Sequence, residues 1–314
     1  MRFLVFFLYL FSPHKFSIAL LNATTCADTS NKMATTEPEP VETPSEDVYE
    51  IAEVDAKNSG ADEFMNADFS KKVVMQSEKL NWSSRRGDLV GKPLYVCGGK
   101  MNGAVTVVVK YFPNADFEFH DHPQGEEIFV LDGVFTDERG DHEAGSYLFN
   151  PETFTHTPST KQKGNLILIR LRQYPNIGVR RTEKVVNSNK MEWVVPDFKK
   201  RGEGVTEKLM YPLEEDQAEY SERQWIERWS ADATPEPFVV EDLLEIFILK
   251  GGFTDEDGSY NKGDWIRLPK GSTFGGKVTP GEEECVFLIK TGDEYVVPEQ
   301  FKDSLPDYSA ESEQ

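Results

Sequence analysis

Short runs of alternating or β-rich residues fill the middle of the chain. The clearest of them are residues 105–112, 127–131, 164–173, 243–249 and 284–290. Gly, Asp and Pro separate these runs at hairpin spacing, and no long segment has the 3.6-residue period of an amphipathic helix. Many short strands with Gly-rich turns predict an all-β fold, either a sandwich or a small barrel.

One of these patterns occurs twice. Residues 126–137 have the sequence EEIFVLDGVFTD, and residues 244–255 have the sequence LEIFILKGGFTD, an offset of 118 positions. The same offset pairs Pro151 with Pro269 further along the chain. Self-similarity over this length predicts two tandem copies of one domain.

The two predicted domains occupy residues 71–185 and 186–302, and the segments around them differ in composition. Residues 1–27 contain an unbroken apolar run that is too short to span a bilayer and is typical of a signal peptide. Residues 28–70 are acidic and contain several prolines, which predicts a disordered leader. Residues 303–314 are predicted to form a second acidic tail.

Two interpretations of the N-terminus remain open. If residues 1–27 are a signal, the protein is secreted or directed to an organelle, and the mature form has no membrane anchor. If translation starts at Met33, the segment is never made and the protein is cytoplasmic. The small number of cysteines favours the second interpretation slightly, because secreted proteins more often use disulfides.

Charge and cysteine content exclude several classes of partner and site. The 55 acidic and 34 basic residues give a net charge of −21, which repels the phosphate backbone of nucleic acids and anionic membrane surfaces. Cys26, Cys97 and Cys285 show no CxxC spacing, so neither a disulfide scaffold nor a thiolate zinc site is expected. A small-molecule substrate remains a possible partner, and the oligomeric state stays open.

Three of the five histidines occur near one glutamate in the first copy. His120 and His122 are two residues apart on an extended segment, so their side chains point to the same face. Glu126 begins the next strand after a Pro-Gln-Gly turn, and His156 follows a second turn after Pro151. Three imidazoles and one carboxylate can therefore converge on a single divalent metal ion, with Zn or Fe, or else Mn or Ni, as the candidates.

These spacings, HxHx3Ex6G followed by Gx5Px4H, resemble the paired motifs of cupins. The string HPQGEEIFVLDGVFTDERGDHEAGSYLFNP is similar to the ChrR-like cupin family, which includes the C-terminal domain of the ChrR anti-sigma factor. The resemblance implies two jelly-roll β-barrels, the first of which binds a metal through His120, His122, Glu126 and His156. Thr153 stands where the motif has glycine, so a positive φ there would strain the backbone.

The second copy lacks all four of these polar residues. The 118-residue offset places Phe238, Val240, Leu244 and Phe274 at their positions. Unpaired polar groups in a barrel interior are costly, so their joint replacement by apolar residues is physically consistent. We therefore expect one metal ion per chain and a metal-free second barrel.

Two uses of the metal site follow from the resemblance. Related cupins that cleave acetylacetone imply an oxygenase acting on a small diketone-like or keto-acid compound, with Glu126 as a ligand or as the catalytic base. Four protein ligands would instead close a tetrahedral zinc site, and the chain would then be a non-catalytic sensor, regulator or scaffold. ChrR binds its sigma factor through an N-terminal zinc-binding domain that needs a His-x3-Cys-x2-Cys group. Residues 1–79 lack this group, so a sigma-factor partner is not expected.

Two pairs of charged residues near the site are expected to lie outside the barrels. Glu127 and Glu245 occur in both copies next to inward positions, so we expect them to face outward and to make structural hydrogen bonds. Arg170 and Arg172 alternate on one strand, which favours a solvent-facing position. A role of these arginines in holding an anionic substrate is the alternative.

The remaining residues near the motifs are expected to be structural. His142 lies in a polar turn and is predicted to be solvated. Phe117, Phe119 and Phe154 flank the predicted ligands, and core packing is favoured for them over the lining of a pocket.

Overall fold

The computed structural model describes residues 64–98, 103–173, 181–197, 200–213, 222–275, 279–281 and 283–292. The predicted signal-like segment, most of the acidic leader and the acidic tail lie outside these residues. Apart from short 3-10 turns, the regular secondary structure of the described chain is all β-strand, which confirms the all-β prediction. In these described ranges, no helix has both the length and the apolar character needed to cross a bilayer.

The first half of the described chain contains twelve strands. They are β1 (Phe64–Met65), β2 (Val73–Gln76), β3 (Ser83–Arg86), β4 (Leu89–Cys97), β5 (Ala104–Tyr111), β6 (His120–His122), β7 (Glu126–Asp137), β8 (Gly140–Glu143), β9 (Ser146–Asn150), β10 (Phe154–His156), β11 (Ser159–Leu171) and β12 (Lys184–Asn187). A short 3-10 helix follows β2 (Ser77–Lys79), and another follows β12 (Ser188–Lys190).

The second half contains ten more described strands. They are β13 (Gly202–Tyr211), β14 (Arg223–Pro235), β15 (Phe238–Val239), β16 (Leu243–Lys250), β17 (Gly252–Asp255), β18 (Gly258–Asn261), β19 (Asp264–Leu268), β20 (Thr273–Phe274), β21 (Thr279–Pro280) and β22 (Cys285–Gly292).

These strands form two antiparallel barrels with matching topology. The main sheet of the first barrel has the order β1-β4-β5-β11-β7-β9-β12, with β3 paired to β4 and β8 paired to β7, and β6 and β10 form a separate two-stranded sheet. The main sheet of the second barrel has the order β13-β14-β22-β16-β19-β2, and β15 and β20 form its two-stranded sheet. The correspondence confirms that the sequence repeat encodes two copies of one architecture.

Each barrel receives one edge strand from the other half of the chain. β2 lies between β1 and the other strands of the first barrel but pairs with β19, where Met75 lies opposite Trp265. β12 precedes the second barrel but pairs with β9, where Val186 lies opposite Tyr147. The two barrels are therefore joined by a reciprocal exchange of edge strands as well as by the connecting chain.

The described structure includes residues ahead of residue 71. Phe64 and Met65 form β1, which pairs with Cys97 and Val96 of β4. Ala67 is buried in the core between the barrels. The last residues of the predicted leader are thus part of the folded structure.

Alternation along the strands divides the apolar residues among three cores. Val105, Val107 and Val109 of β5 face the interior of the first barrel, whereas Val108 faces the second barrel. A separate cluster, which includes Trp229 and the β16 side chains that point inward, fills the second barrel. Period-two alternation on both faces of each main sheet explains why few residues of these strands are exposed.

A buried charged cluster lies between the two barrels. Glu127 and Glu245 point away from their own barrel interiors, as expected, but they are buried. Arg170 Nε donates a hydrogen bond to Glu245 Oε2 (2.8 Å), and Lys290 Nζ donates one to Glu127 Oε2 (3.0 Å). The solvent-facing position predicted for Arg170 is wrong, because the face that carries it is covered by the other barrel.

Thr153 adopts the strained conformation anticipated from its motif position. Its φ is +68°, whereas the equivalent Gly271 has a φ of +83°. The two turns are otherwise alike: Thr153 N–H donates to the His122 carbonyl (2.9 Å), and Gly271 N–H donates to the Val240 carbonyl (2.8 Å). A β-branched residue in this region is unfavourable, since its Cβ crowds the backbone.

We therefore expect reciprocal effects on stability from exchanging these two residues. Gly271→Thr should lower the free energy of unfolding by about 1–2 kcal/mol, because a Cβ at Gly271 has open space and only the backbone is strained. Thr153→Gly should raise stability by a smaller amount, because glycine also increases the entropy of the unfolded chain. Denaturant unfolding measures both effects, and a neutral Gly271→Thr would contradict the prediction.

Candidate metal centre

The predicted ligands lie on the small sheet of the first barrel and at the start of β7. His120 and His122 are on β6, and His156 of β10 is the register partner of His120. A turn closed by Gly125, whose N–H donates to the His122 carbonyl (3.1 Å), returns the chain from β6 to Glu126. The spacing of two residues places both β6 imidazoles on one face, as the sequence predicted.

Three imidazole rings meet at this position. The ring centroids of His120, His122 and His156 are 4.8, 4.8 and 4.9 Å apart pairwise. One ring nitrogen of each lies within 4.8 Å of the others, and the Nε2 atoms of His122 and His156 are 3.0 Å apart. Convergent imidazole nitrogens are the donor set of a transition-metal site, so the three histidines could hold a metal ion.

Glu126 borders two of these rings. Its Oε2 atom lies 3.4 Å from His122 Nε2 and 3.6 Å from His156 Nε2. Asn150 Nδ2 donates a hydrogen bond to the same oxygen (2.8 Å), which fixes the orientation of the carboxylate. Glu126 is buried, so it is placed either to join the three imidazoles as a ligand or to act as a base beside them.

An oxygen atom lies beside the outer ring nitrogen of two of the histidines. His120 Nδ1 lies 2.9 Å from the Glu118 carbonyl, which can only accept, so this nitrogen carries a proton and Nε2 is the ring nitrogen that could bind a metal. His156 Nδ1 faces Asp137 Oδ2 at 3.8 Å, which is longer than a hydrogen bond and leaves an electrostatic contact. A carboxylate behind an imidazole favours the same tautomer and raises the ability of the ring to bind a metal.

Asp137 connects the site to His142, which the sequence placed wrongly in solvent. His142 is only 6% exposed, and its Nε2 lies 2.9 Å from Asp137 Oδ1. Arg139 also donates to Asp137 through Nη2 (2.6 Å). Burial alone would raise the pKa of the Asp137 carboxyl, but hydrogen bonds with His142 and Arg139 and the nearby ring of His156 hold it well below its usual value. Asp137 is therefore ionised behind the His156 ring.

The environment also favours the neutral form of His122. Burial lowers the pKa of His122, the carboxylate of Glu126 opposes this effect, and the rings of His156 and His120 lower the pKa further. A metal ion needs the unprotonated ring nitrogen, so the fold stabilises the form of His122 that can bind.

In the second barrel, apolar side chains occupy the equivalent positions. Phe238 pairs with Phe274 in the same register in which His120 pairs with His156. Phe238, Val240, Leu244 and Phe274 are all buried in one apolar cluster. Among the residues described, the three histidines of the first barrel form the one cluster of potential ligands.

An ion pair inside the second barrel was missed by the sequence analysis. Arg201 Nη2 donates to Glu227 Oε1 (2.8 Å), and Trp229 Nε1 donates to the same oxygen (2.6 Å). The Arg201 guanidinium lies 4.8 Å from the Phe238 ring centroid and 5.4 Å from that of Phe274. The Arg201 cation thus lies over the two aromatic rings that occupy the positions equivalent to His120 and His156.

A signal for this ion pair was present in the repeat. Glu227 is the equivalent of Val109, which faces the interior of the first barrel. Strand alternation predicts that this position faces the barrel interior. A carboxylate there needs a buried partner, because an unpaired buried charge is costly. That partner, Arg201, lies ahead of β13 and has no obvious counterpart in the repeat.

The phenylalanines that flank the histidines, and Arg172, only partly match their predicted environments. Phe119 is 68% exposed, so core packing is wrong for it. Phe117 packs edge-on against Tyr111, and Phe154 stacks with the Arg139 guanidinium. Arg172 is partly buried, and its Nε donates to the Gly103 carbonyl (2.5 Å). The solvent-facing position predicted for Arg172 is therefore only partly correct.

Comparison with known families identifies the fold. A family model described as the ChrR cupin-like domain matches residues 70–175 and, separately, residues 181–294, which together make up more than half of the chain. The chain is a member of this cupin family. The two matches also confirm a bicupin architecture, with one cupin domain for each copy of the repeat. No curated protein is significantly similar to this cupin.

Several solved structures share the bicupin fold at low sequence identity. A candidate dioxygenase from Nostoc punctiforme has a TM-score of 0.56 and 14% identity, covering 74% of this chain and 86% of the other. The protein YlbA of E. coli has a TM-score of 0.54 and 14% identity, covering 75% and 96%. A candidate glyoxylate-induced protein from Pseudomonas aeruginosa has a TM-score of 0.53 and 16% identity, covering 74% and 92%. These similarities support the fold alone.

The repeat offers a matched test of Asp137. We expect Asp137→Asn to weaken the binding of a divalent metal by about 10–100-fold, because the carboxylate behind His156 is lost. The control is Asp255→Asn, since Asp255 is the equivalent residue and accepts from Tyr260 (2.9 Å) in the barrel without ligands. Competition with a chelating dye measures both affinities. Equal losses in the two variants would contradict a role for Asp137 at the metal centre.

Proposed function

We propose that this cupin is a metal-dependent oxygenase that acts on a small diketone-like or keto-acid compound in its first barrel. Iron or a similar divalent ion would be held by His120, His122 and His156, with Glu126 as a further ligand or as the base. The observation that supports this proposal most directly is the convergence of three buried or half-buried imidazoles beside a carboxylate whose orientation is fixed.

The bound ion would supply Lewis-acid chemistry and would bring the substrate and dioxygen together. The protein residues act around it. Apolar side chains of the first barrel, including Ile128, Phe135 and Ile169, exclude water from the interior. The C–H between two carbonyl groups is acidic, and Glu126 is positioned to accept its proton. Asn150 keeps one carboxylate oxygen of Glu126 hydrogen-bonded while the proton moves to the group.

The experiment is oxygen consumption by the iron-loaded full-length protein with a series of small diketones and keto acids. We expect uptake with at least one compound, and we expect Glu126→Gln to keep the metal but lose about 10²–10⁴-fold in rate. Asp121→Asn is the control, because Asp121 lies on β6 between two of the histidines and is exposed. No oxygen uptake by protein with a full complement of iron would contradict the oxygenase proposal.

A second function is favoured by the closeness of Glu126 to two rings. Three imidazoles and one carboxylate would satisfy a tetrahedral zinc ion and leave it no open position. In that case the first barrel would be a non-catalytic zinc site in a sensor, regulator or scaffold. Protein purified with tightly bound zinc and without oxygenase activity after iron loading would support this alternative.

A further inference from the structure

A cavity of about 600 Å³ lies between the two barrels, away from the metal centre. Phe129 and Leu131 line it from the first barrel, and their equivalents Phe247 and Leu249 line it from the second. Its volume is within the range of small-molecule sites. We call this space the interdomain cavity.

The interdomain cavity is separate from the metal centre because β7 has two faces. Glu126 and Ile128 point into the first barrel, whereas Phe129 and Leu131 point toward the second barrel. Successive residues of a strand face opposite sides, so the sheet itself divides the two spaces. A ligand in the interdomain cavity would not touch the three histidines.

Two lysines at equivalent places in the two barrels border the interdomain cavity. Lys92 Nζ lies 4.5 Å from the Trp82 ring centroid, and Lys208 Nζ lies 4.3 Å from that of Trp193. Lys208 also donates a hydrogen bond to the Ser188 carbonyl (2.8 Å). Lys92 is only 9% exposed, and within the described part of the chain its ammonium has neither a hydrogen-bond acceptor nor an ion pair.

The ammonium of Lys92 lies at the cavity wall without an acceptor among the described residues, where it can donate to an anionic ligand group. Burial of the side chain lowers the pKa of Lys92, while the carboxylate of Glu78 opposes this effect, and a bound carboxylate would likewise favour the charged form. Glu78 and Asp132 also border the cavity, together with Lys262. These carboxylates disfavour an anion of high charge, whereas a single carboxylate could reach the one ammonium that has no acceptor.

We propose that the interdomain cavity binds an apolar monocarboxylate, such as a medium-chain fatty acid. Its apolar body lies against Phe129, Phe247, Leu131 and Leu249, and its carboxylate accepts a hydrogen bond from Lys92. This ligand matches both properties of the cavity, namely apolar walls on two sides and one cation without an acceptor in the described structure. The proposal does not depend on the function of the metal centre.

The test uses the full-length protein and decanoate, with decan-1-ol as a probe of the same chain length and no charge. Isothermal titration is expected to give one decanoate per chain and weaker binding of decan-1-ol. Tryptophan fluorescence should change with the same midpoint, because Trp82 lines the cavity. Absence of decanoate binding at millimolar concentration, or equal affinities for the two probes, would overturn the proposal.

Two variants and one control locate the binding. Lys92→Met should weaken decanoate binding by about tenfold or more and leave decan-1-ol binding unchanged. Leu131→Trp should reduce the binding of both probes, because it fills the cavity while Lys92 is retained. Lys270→Met is the control, since Lys270 is 67% exposed and is not part of the cavity lining, and it should bind like the wild type. Wild-type affinity in Lys92→Met, or in a folded Leu131→Trp protein, would refute the assignment.

Discussion

We expect the His156→Ala protein to lose its divalent metal, while Phe274→Ala retains about one equivalent per chain. His156 contributes one of three convergent ring nitrogens, and Phe274 is its equivalent in the second barrel. Changes to residues behind a ligand already cost about 10–100-fold in affinity, so removal of the ligand itself should cost more. Metal analysis after reconstitution with Zn²⁺, Fe²⁺ or Mn²⁺ measures the content of both variants.

The Phe274→Ala variant separates a defect in metal binding from a general defect in folding. Phe274 is buried against Trp229 and Phe287, so its truncation should lower the free energy of unfolding by about 3–5 kcal/mol. The variant is therefore the less stable of the two proteins but the one that keeps metal. Two equivalents in the wild type, or one equivalent in His156→Ala, would contradict the assignment of the site.

A second large effect is expected from Glu227→Ala in the interior of the second barrel. The substitution leaves the Arg201 guanidinium buried without its carboxylate, although Arg201 Nη1 still donates to the Glu236 carbonyl. Breaking a buried pair in this way typically costs about 3–5 kcal/mol. Thermal unfolding is expected to show a lower midpoint, and metal content should stay unchanged.

Two further variants give this prediction its controls. Replacing both partners, by Arg201→Met with Glu227→Leu, should recover much of the lost stability, because no charge is then left unpaired. Glu284→Ala removes an exposed carboxylate that pairs with Lys250 and should cost at most about 1 kcal/mol. A loss in Glu227→Ala no larger than that in Glu284→Ala would contradict a structural role for the buried pair.

Periodicity and self-similarity were sufficient to predict the all-β class and the duplication. The repeat offset alone placed Phe238 and Phe274 opposite each other, because two copies of one fold share their register. The spacing of His120, His122 and His156 was likewise informative, since residues two apart on a strand share a face and each turn returns the chain to the same end of the barrel.

The prediction failed where a side chain depends on parts of the chain that are distant in sequence. His142 was assigned to solvent because its turn is polar, yet Asp137 holds it inside the structure. Arg170 was assigned to solvent because strand alternation shows which face a residue is on and does not show what covers that face. The exchange of β2 and β12 was not anticipated, because local pattern carries no information about which sheet an edge strand joins.

That exchange bears on why a barrel without metal ligands would be retained. β12 opens the second copy of the repeat but protects the free edge of β9, whose last residue, Asn150, holds the carboxylate of Glu126. Unprotected sheet edges fray and aggregate, so cutting the chain between the two copies would expose this edge beside the histidines. The second barrel would then be retained because β12 stabilises the first barrel, a role that needs no metal ligand in the second barrel.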